Sequence, residues 1–163
     1  MKKIKILIIV LICLLSIGCT YEEEKENIKT NNYNLGSLTY KIPKSFKKSD
    51  NSTASSYFYD YKDDTNMNSC TLSVKIQEPY TNDLEQIIKT YMYSDEDFVI
   101  KEKNISNVKW KYAKNERSSN IIYYVYTTIY NNKLYVVQYD DLRPGTYCDY
   151  AYKKIIKSLK FQE

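Results

Sequence analysis

The chain reads as an α+β domain, built from antiparallel hairpins and two helices. Three observations lead there. Short runs of alternating apolar and polar residues recur between turn signals, as half-buried strands require. Two stretches, near 82–91 and 147–160, instead repeat apolar residues at helical spacing. Between them lies the strongest strand signal, Ile121 to Tyr139, with apolar side chains on both faces of the pleat. Such a hairpin is covered on both sides, or covered on one and used for binding on the other.

The N-terminal residues have the order of an export signal. Lys2, Lys3 and Lys5 precede an apolar run from Ile6 to Ile17, and Gly18 is small enough for a signal peptidase. Ile4 to Cys19 supplies sixteen residues, short of the ~20 that a membrane span needs. Leu14-Leu15-Ser16-Ile17-Gly18-Cys19 resembles a bacterial lipobox, although Ser16 stands where that pattern favours Leu, Val or Ile. The resemblance implies that residues 1–18 are a lipoprotein signal peptide. Cys19 becomes the acylated N-terminus, and the rest lies on the extracytoplasmic face of the cell membrane. Residues 19–34, charged and Asn-rich without apolar period, are expected to be the lipidated cysteine and a flexible tether. Residues 35–163 are then a single domain of ordinary size.

Charge and composition exclude several functions. The chain carries 24 Lys plus Arg against 20 Asp plus Glu, but loss of Lys2, Lys3 and Lys5 leaves 21 against 20. A chain so nearly neutral implies no polyanionic partner. Its only arginines are Arg117 and Arg143, which argues against readout of base edges, so no nucleic acid is expected. There is no histidine, which removes histidine triads, histidine zinc sites and histidine acid–base catalysis. With glycine only at positions 18, 36 and 145, phosphate-cradling loops are excluded too. No enzyme, cofactor or metal is expected. The wealth of Lys, Asn, Ile and Tyr resembles the output of an AT-rich genome, as in low-GC Gram-positive bacteria.

Cys70 and Cys148 remain as one pair in an exported domain, which suggests a disulfide. It would close a loop of 78 residues and stabilise the fold by ~4 kcal/mol on loop-closure entropy. Two buried free thiols are the alternative.

Along the domain, Leu38, Tyr40 and Ile42 alternate as a strand that Pro43 stops, and Phe46 packs back. Ser56 to Lys62 and Cys70 to Gln77 form the next two strands around the polar turn Asp63 to Asn68. That turn lacks the central Gly and final Glu of a calcium loop. Asn82 is expected to cap a helix with Glu85 answering it, and Leu84, Ile87, Ile88 and Tyr91 form its stripe. Asp95-Glu96-Asp97 reads as a solvated loop. Phe98 to Lys103 and Val108 to Tyr112 follow, with Trp110 at an apolar strand position that points to the core.

In the hairpin, Asn131-Asn132 suits a type I′ turn. That turn sets Thr128 opposite Tyr135, Tyr126 opposite Val137 and Tyr124 opposite Tyr139. One face then carries Tyr124, Tyr126, Tyr130, Tyr135 and Tyr139, and the other Tyr123, Val125, Ile129, Leu134 and Val136. The tyrosine ladder is the candidate binding face if it is left open; a packed helix would make it core. Pro144-Gly145 marks a turn, Thr146 with Asp149 forms a helix-starting box, and Ala151, Tyr152, Ile155, Ile156 and Leu159 line the last helix.

This order of elements carries an opening Leu38-Thr39-Tyr40-Lys41-Ile42-Pro43-Lys44-Ser45-Phe46 and a closing Ile155-Ile156-Lys157-Ser158-Leu159-Lys160-Phe161. Together they resemble the Mog1/PsbP-like domains of bacterial lipoproteins. The resemblance implies a central antiparallel β-sheet with helices against its faces, an α/β/α sandwich. It implies no shared activity, since members include photosystem accessory proteins and partners of small GTPases. Two functions follow as expectations. One is a membrane-anchored, non-catalytic interaction or accessory module of the cell envelope, with an envelope protein as partner. The other is a carrier of a small ligand (peptide, lipid or sugar) on the tyrosine face.

Overall fold

The computed structural model describes residues 28–49, 54–62, 67–92, 98–117, 121–142 and 146–162. The leader, Cys19, most of the tether, Asp95 to Asp97, Pro144-Gly145 and the centre of the Asp63 to Asn68 turn lie outside them. Among the described residues, ten strands and two helices run in the order β1 (Thr30–Leu35), β2 (Leu38–Pro43), β3 (Lys47–Ser49), β4 (Ala54–Lys62), β5 (Met67–Gln77), α1 (Leu84–Tyr91), β6 (Val99–Ile105), β7 (Val108–Arg117), β8 (Ile121–Tyr130), β9 (Lys133–Leu142), α2 (Tyr147–Ser158) and β10 (Lys160–Phe161). Two sheets result. Seven strands pair antiparallel in the order β3-β4-β5-β9-β8-β7-β6, and three pair as β1-β2-β10. The fold is thus α+β and mostly antiparallel sheet.

The central hairpin has the register expected from its turn. Asn131 and Asn132 sit at φ 49° and 57°, and Thr128↔Tyr135, Tyr126↔Val137 and Tyr124↔Tyr139 face each other. Both faces are covered. Ile87, Ile88 and Met92 of the α1 region pack with Tyr123, Val125, Leu134 and Val136. On the other face, Ala151, Tyr152, Ile155 and Ile156 of α2 join Leu72, Val74, Tyr126, Val137 and Tyr139. The small sheet shares this second core through Leu38, Tyr40, Ile42 and Phe161. Trp110 is 1% exposed and its ring lies against Phe161.

Several boundaries differ from those expected. The last helix ends at Ser158 with Leu159 as its C-cap instead of running to residue 160, because Lys160 and Phe161 pair with β2 as β10. Thr30 to Asn34, assigned to the tether, is strand β1; the domain includes Ile28, which is buried, rather than starting at Leu35. Its mostly polar sequence hid it: β1 pairs with β2 across the Gly36-Ser37 turn and packs on the core with Tyr33 and Leu35. Gly36 takes φ +58°, and a Cβ there would stand 2.7 Å from Ile76 Cδ1, so glycine meets neither the backbone strain nor the crowding that a side chain would. The cap of α1 is Asp83, not Asn82: its Oδ1 accepts from the Glu85 and Gln86 amides at 2.9 and 3.2 Å. A carboxylate there also meets the positive end of the helix. Thr146 occupies the cap of α2 without a side-chain capping bond, and Asp149 accepts from Lys153 Nζ at 2.9 Å instead. Finally, β7 runs past Tyr112 to Arg117, because buried Ala113 and Asn115 continue the pleat with residues too small or too polar to register as apolar.

Cys70 of β5 and Cys148 in the first turn of α2 bring their sulfurs to disulfide distance, with Cα atoms 6.1 Å apart and both residues buried. The bridge pins α2 to the sheet. Replacing both cysteines by alanine should lower unfolding stability by up to ~4 kcal/mol, seen as an earlier urea midpoint with a steeper slope, because the uncrosslinked chain unfolds to a more open state. A double variant with the wild-type midpoint would show that the bond contributes nothing.

Candidate functional site

The tyrosine ladder is interior over most of its length. Tyr126, Tyr135 and Tyr139 are 2%, 1% and 1% exposed, whereas Tyr124 and Tyr130 are half-buried. A buried phenol needs a partner for its hydroxyl, and each of these three has one. Tyr126 and Tyr152 share a hydroxyl–hydroxyl bond of 2.5 Å. Tyr139 donates to the Cys148 carbonyl at 3.1 Å, and Tyr135 accepts from the Ser37 amide at 3.3 Å. Tyr152 of α2 stacks on Tyr124 with centroids 4.5 Å apart, and Phe161 of β10 stacks on Tyr130 at 4.0 Å. The five residues therefore do not form one open platform. Helix α2 covers one end and β10 the other, because the long apolar bodies of the tyrosines exclude water only when something lies on them.

What stays open is the margin beyond α2. A cleft of about 770 Å³ lies between α2 and the edge strand β6. Its floor is aromatic. Tyr112 stacks on Tyr126 with centroids 4.9 Å apart and planes 10° apart, and Tyr124 continues the row. Its rim is cationic. Lys101 and Lys103 stand on β6, Lys114 on β7 and Lys153 on α2, with Phe98 and Val99 at one end. The pleat explains the set: Lys101 pairs with Tyr112, Val99 with Lys114 and Lys103 with Trp110, so all point to the α2 side of the sheet. Glu102, between them, points to the other side and meets Lys109 at 2.6 Å.

Two of the four cations are offset. Lys114 bonds Glu116 at 2.8 Å and Lys153 bonds Asp149 at 2.9 Å. Among the described residues, Lys101 and Lys103 have no ion pair, so the rim keeps a net positive charge. The bond to Glu116 raises the Lys114 pKa. Desolvation raises that of Tyr124, and the nearby Lys114 charge opposes the shift. With both shifts upward, Lys114 stays charged and Tyr124 stays neutral near neutral pH. Flat apolar rings beside fixed positive charge suit an anionic ligand with some apolar body.

Sequence alternation placed the five ladder tyrosines but missed Lys101, Lys103, Lys114, Tyr112 and Tyr152 as one group. The signal was present in Val99-x-Lys101-x-Lys103, yet its partner strand and the end of α2 had to be located before it meant anything. No group of three or more acidic or cysteine residues that would hold a metal occurs among the described residues. No helix among them is long and apolar enough to cross a membrane. No family model matches the chain, and no curated protein matches it significantly.

Burial pushes the phenols of Tyr126, Tyr139 and Tyr152 far above their ordinary 10.0. The unfolded chain releases these protons near pH 10 while the folded chain keeps them. Their contribution is therefore whole below pH 10 and is lost as pH rises above it, by about 1.4 kcal/mol per pH unit for each tyrosine. The last part of the tyrosinate absorbance, from these buried phenols, should appear only together with the loss of far-ultraviolet circular dichroism, in one cooperative alkaline transition. Ionisation of every tyrosine near pH 10 with the fold intact would contradict this burial.

Proposed function

We propose that this chain is a lipid-anchored module on the extracytoplasmic face of the cell membrane that holds a partner without transforming it. Its domain, on this reading, is Mog1/PsbP-like. The observation that carries the binding reading is the open margin of the sheet, where β6 to β8 pass beyond α2 with a tyrosine floor and two unopposed lysines. Support for the fold assignment comes from a helix packed on each face of an antiparallel sheet, between the Ile42-Pro43 opening and the Leu159-Lys160-Phe161 close. Support for the anchor comes from the lipobox-like run before Cys19.

The anchor sets the geometry of such a module. Only eight residues separate Cys19 from buried Ile28, a reach of about 30 Å when fully extended. The partner would therefore be met close to the lipid headgroups. The cleft volume also lies in the range of small-ligand sites, which supports a carrier as the second reading. Its contact surface would be the half-buried Tyr124 with Tyr112, not the full ladder.

Two measurements in the native host test the proposal together. The mature chain should begin at acylated Cys19 by mass spectrometry, and Cys19→Ala should lose the acyl mass and leave the membrane fraction. A photoreactive residue replacing Val99, which is 68% exposed at the cleft, should give a discrete adduct on illumination. The same residue replacing Tyr80, 55% exposed beside α1, should not. An unprocessed chain would overturn the anchor, and equal crosslinking at both positions would overturn the site.

A further inference from the structure

Strand β6 is an outer strand of the seven-stranded sheet, paired to β7 along one side. Its hairpin closes through Ser106 and Asn107 at φ 48° and 64°, with Ile105 opposite Val108. In a two-residue hairpin the closing pair exchanges backbone hydrogen bonds, and bonded pairs recur at every second residue. Lys103 and Lys101 thus bond to β7, and the amides and carbonyls of Ile100, Glu102 and Asn104 point away from the sheet. Among the described residues no other strand pairs with this side of β6, and its row of main-chain donors and acceptors suits one more strand.

The side chains say which strand. On the cleft side, β6 presents Val99, Lys101 and Lys103 in line, all exposed. Neither lysine has an ion pair among the described residues, whereas Glu102 on the opposite side is already engaged by Lys109 and Lys111 at 2.6 and 3.9 Å. Lysines on a bare edge repel the same edge of a second copy, where like charges would face each other. They do not repel an acidic strand, whose carboxylates would sit directly opposite them at cross-strand distance.

Resting on the reading that this margin binds a partner, we infer that its occupant is an acidic protein segment in extended conformation, added antiparallel to β6. Running antiparallel, the segment meets Lys103 first, then Lys101, then Val99. It therefore carries an acidic residue, a second acidic residue two positions on, and an apolar residue two further on. Backbone pairing supplies the main attachment, and the two charge pairs set direction and register.

The test uses the full-length protein in detergent micelles and a fluorescent heptapeptide, followed by anisotropy. The peptide has threonines throughout except glutamates at positions two and four and valine at position six. It should bind, more weakly as salt rises. Binding should fall about tenfold or more in K101E/K103E, while thermal melting stays unchanged because both side chains are exposed. The milder K101Q/K103Q should lie between. N-methylation of alternate backbone amides on the edge-facing side of the peptide should abolish binding, and the reversed order should bind more weakly. No binding, binding indifferent to N-methylation, or binding unchanged in K101E/K103E would overturn the inference. So would inorganic polyphosphate displacing the peptide while tolerating K101E/K103E. If the peptide fails but the Val99 crosslink still forms in cells, the binding site stands and only the acidic strand falls. If both fail, both readings fall.

Discussion

The β8–β9 hairpin places Tyr126, Tyr135, Val137 and Tyr139 on one side and Tyr123, Val125, Leu134 and Val136 on the other, and both sets must leave water. A single cover cannot satisfy that requirement. Helix α1 lies on one side, where burial of Ile87 and Ile88 contributes about 1.5–3 kcal/mol each. Helix α2 and the small sheet lie on the other. Because the second side is built of tyrosines, its cover must also supply partners for hydroxyl groups. The Tyr126–Tyr152 bond, the Cys148 carbonyl and the Ser37 amide meet that need. The disulfide adds a covalent tie between the same two layers. The position of α2 is thereby fixed, and with it the place where cover ends and the open margin begins.

Much of this was legible in the sequence wherever side-chain period and turn chemistry agreed. The Asn131-Asn132 turn fixed the register of the hairpin, and the two-sided apolar pattern announced two covers. Stripes such as Ile87-Ile88 and Ala151-Tyr152-Ile155-Ile156 located the helices that provide them. Where apolar side chains are sparse, the sequence was silent. Strand β1 is mostly polar, pairs with β2 and meets the core through two of its six side chains, Tyr33 and Leu35, so it read as tether. Asn115 is buried in β7 without any hydrophobic signature. A cap shifted by one residue, from Asn82 to Asp83, depends on local geometry that two adjacent cap-forming residues leave undecided. The cleft was illegible for another reason: its residues come from β6, β7, β8 and α2, and only the tertiary arrangement brings them together.

Function on this account resides at the sheet margin rather than in its centre. The centre is committed to folding, and its phenols are consumed by hydrogen bonds and stacking. The margin keeps what a binding surface needs: exposed backbone along β6, unopposed charge at Lys101 and Lys103, and apolar footing at Val99 and Tyr112. A short lipid tether would hold that margin near the membrane, raising its local concentration relative to any partner confined to the same surface.

The central claim is that α2 and β10 seal the tyrosine ladder and leave only its margin accessible. Nitration of the folded protein by tetranitromethane, mapped by peptide mass spectrometry, tests it most directly. Exposed Tyr80 should react first and half-buried Tyr112, Tyr124 and Tyr130 more slowly, while Tyr126, Tyr135 and Tyr139 stay unmodified until the protein unfolds. Nitration of Tyr126 and Tyr139 at the rate of Tyr80, with the fold intact, would mean that the ladder is open and that the account is wrong at its core.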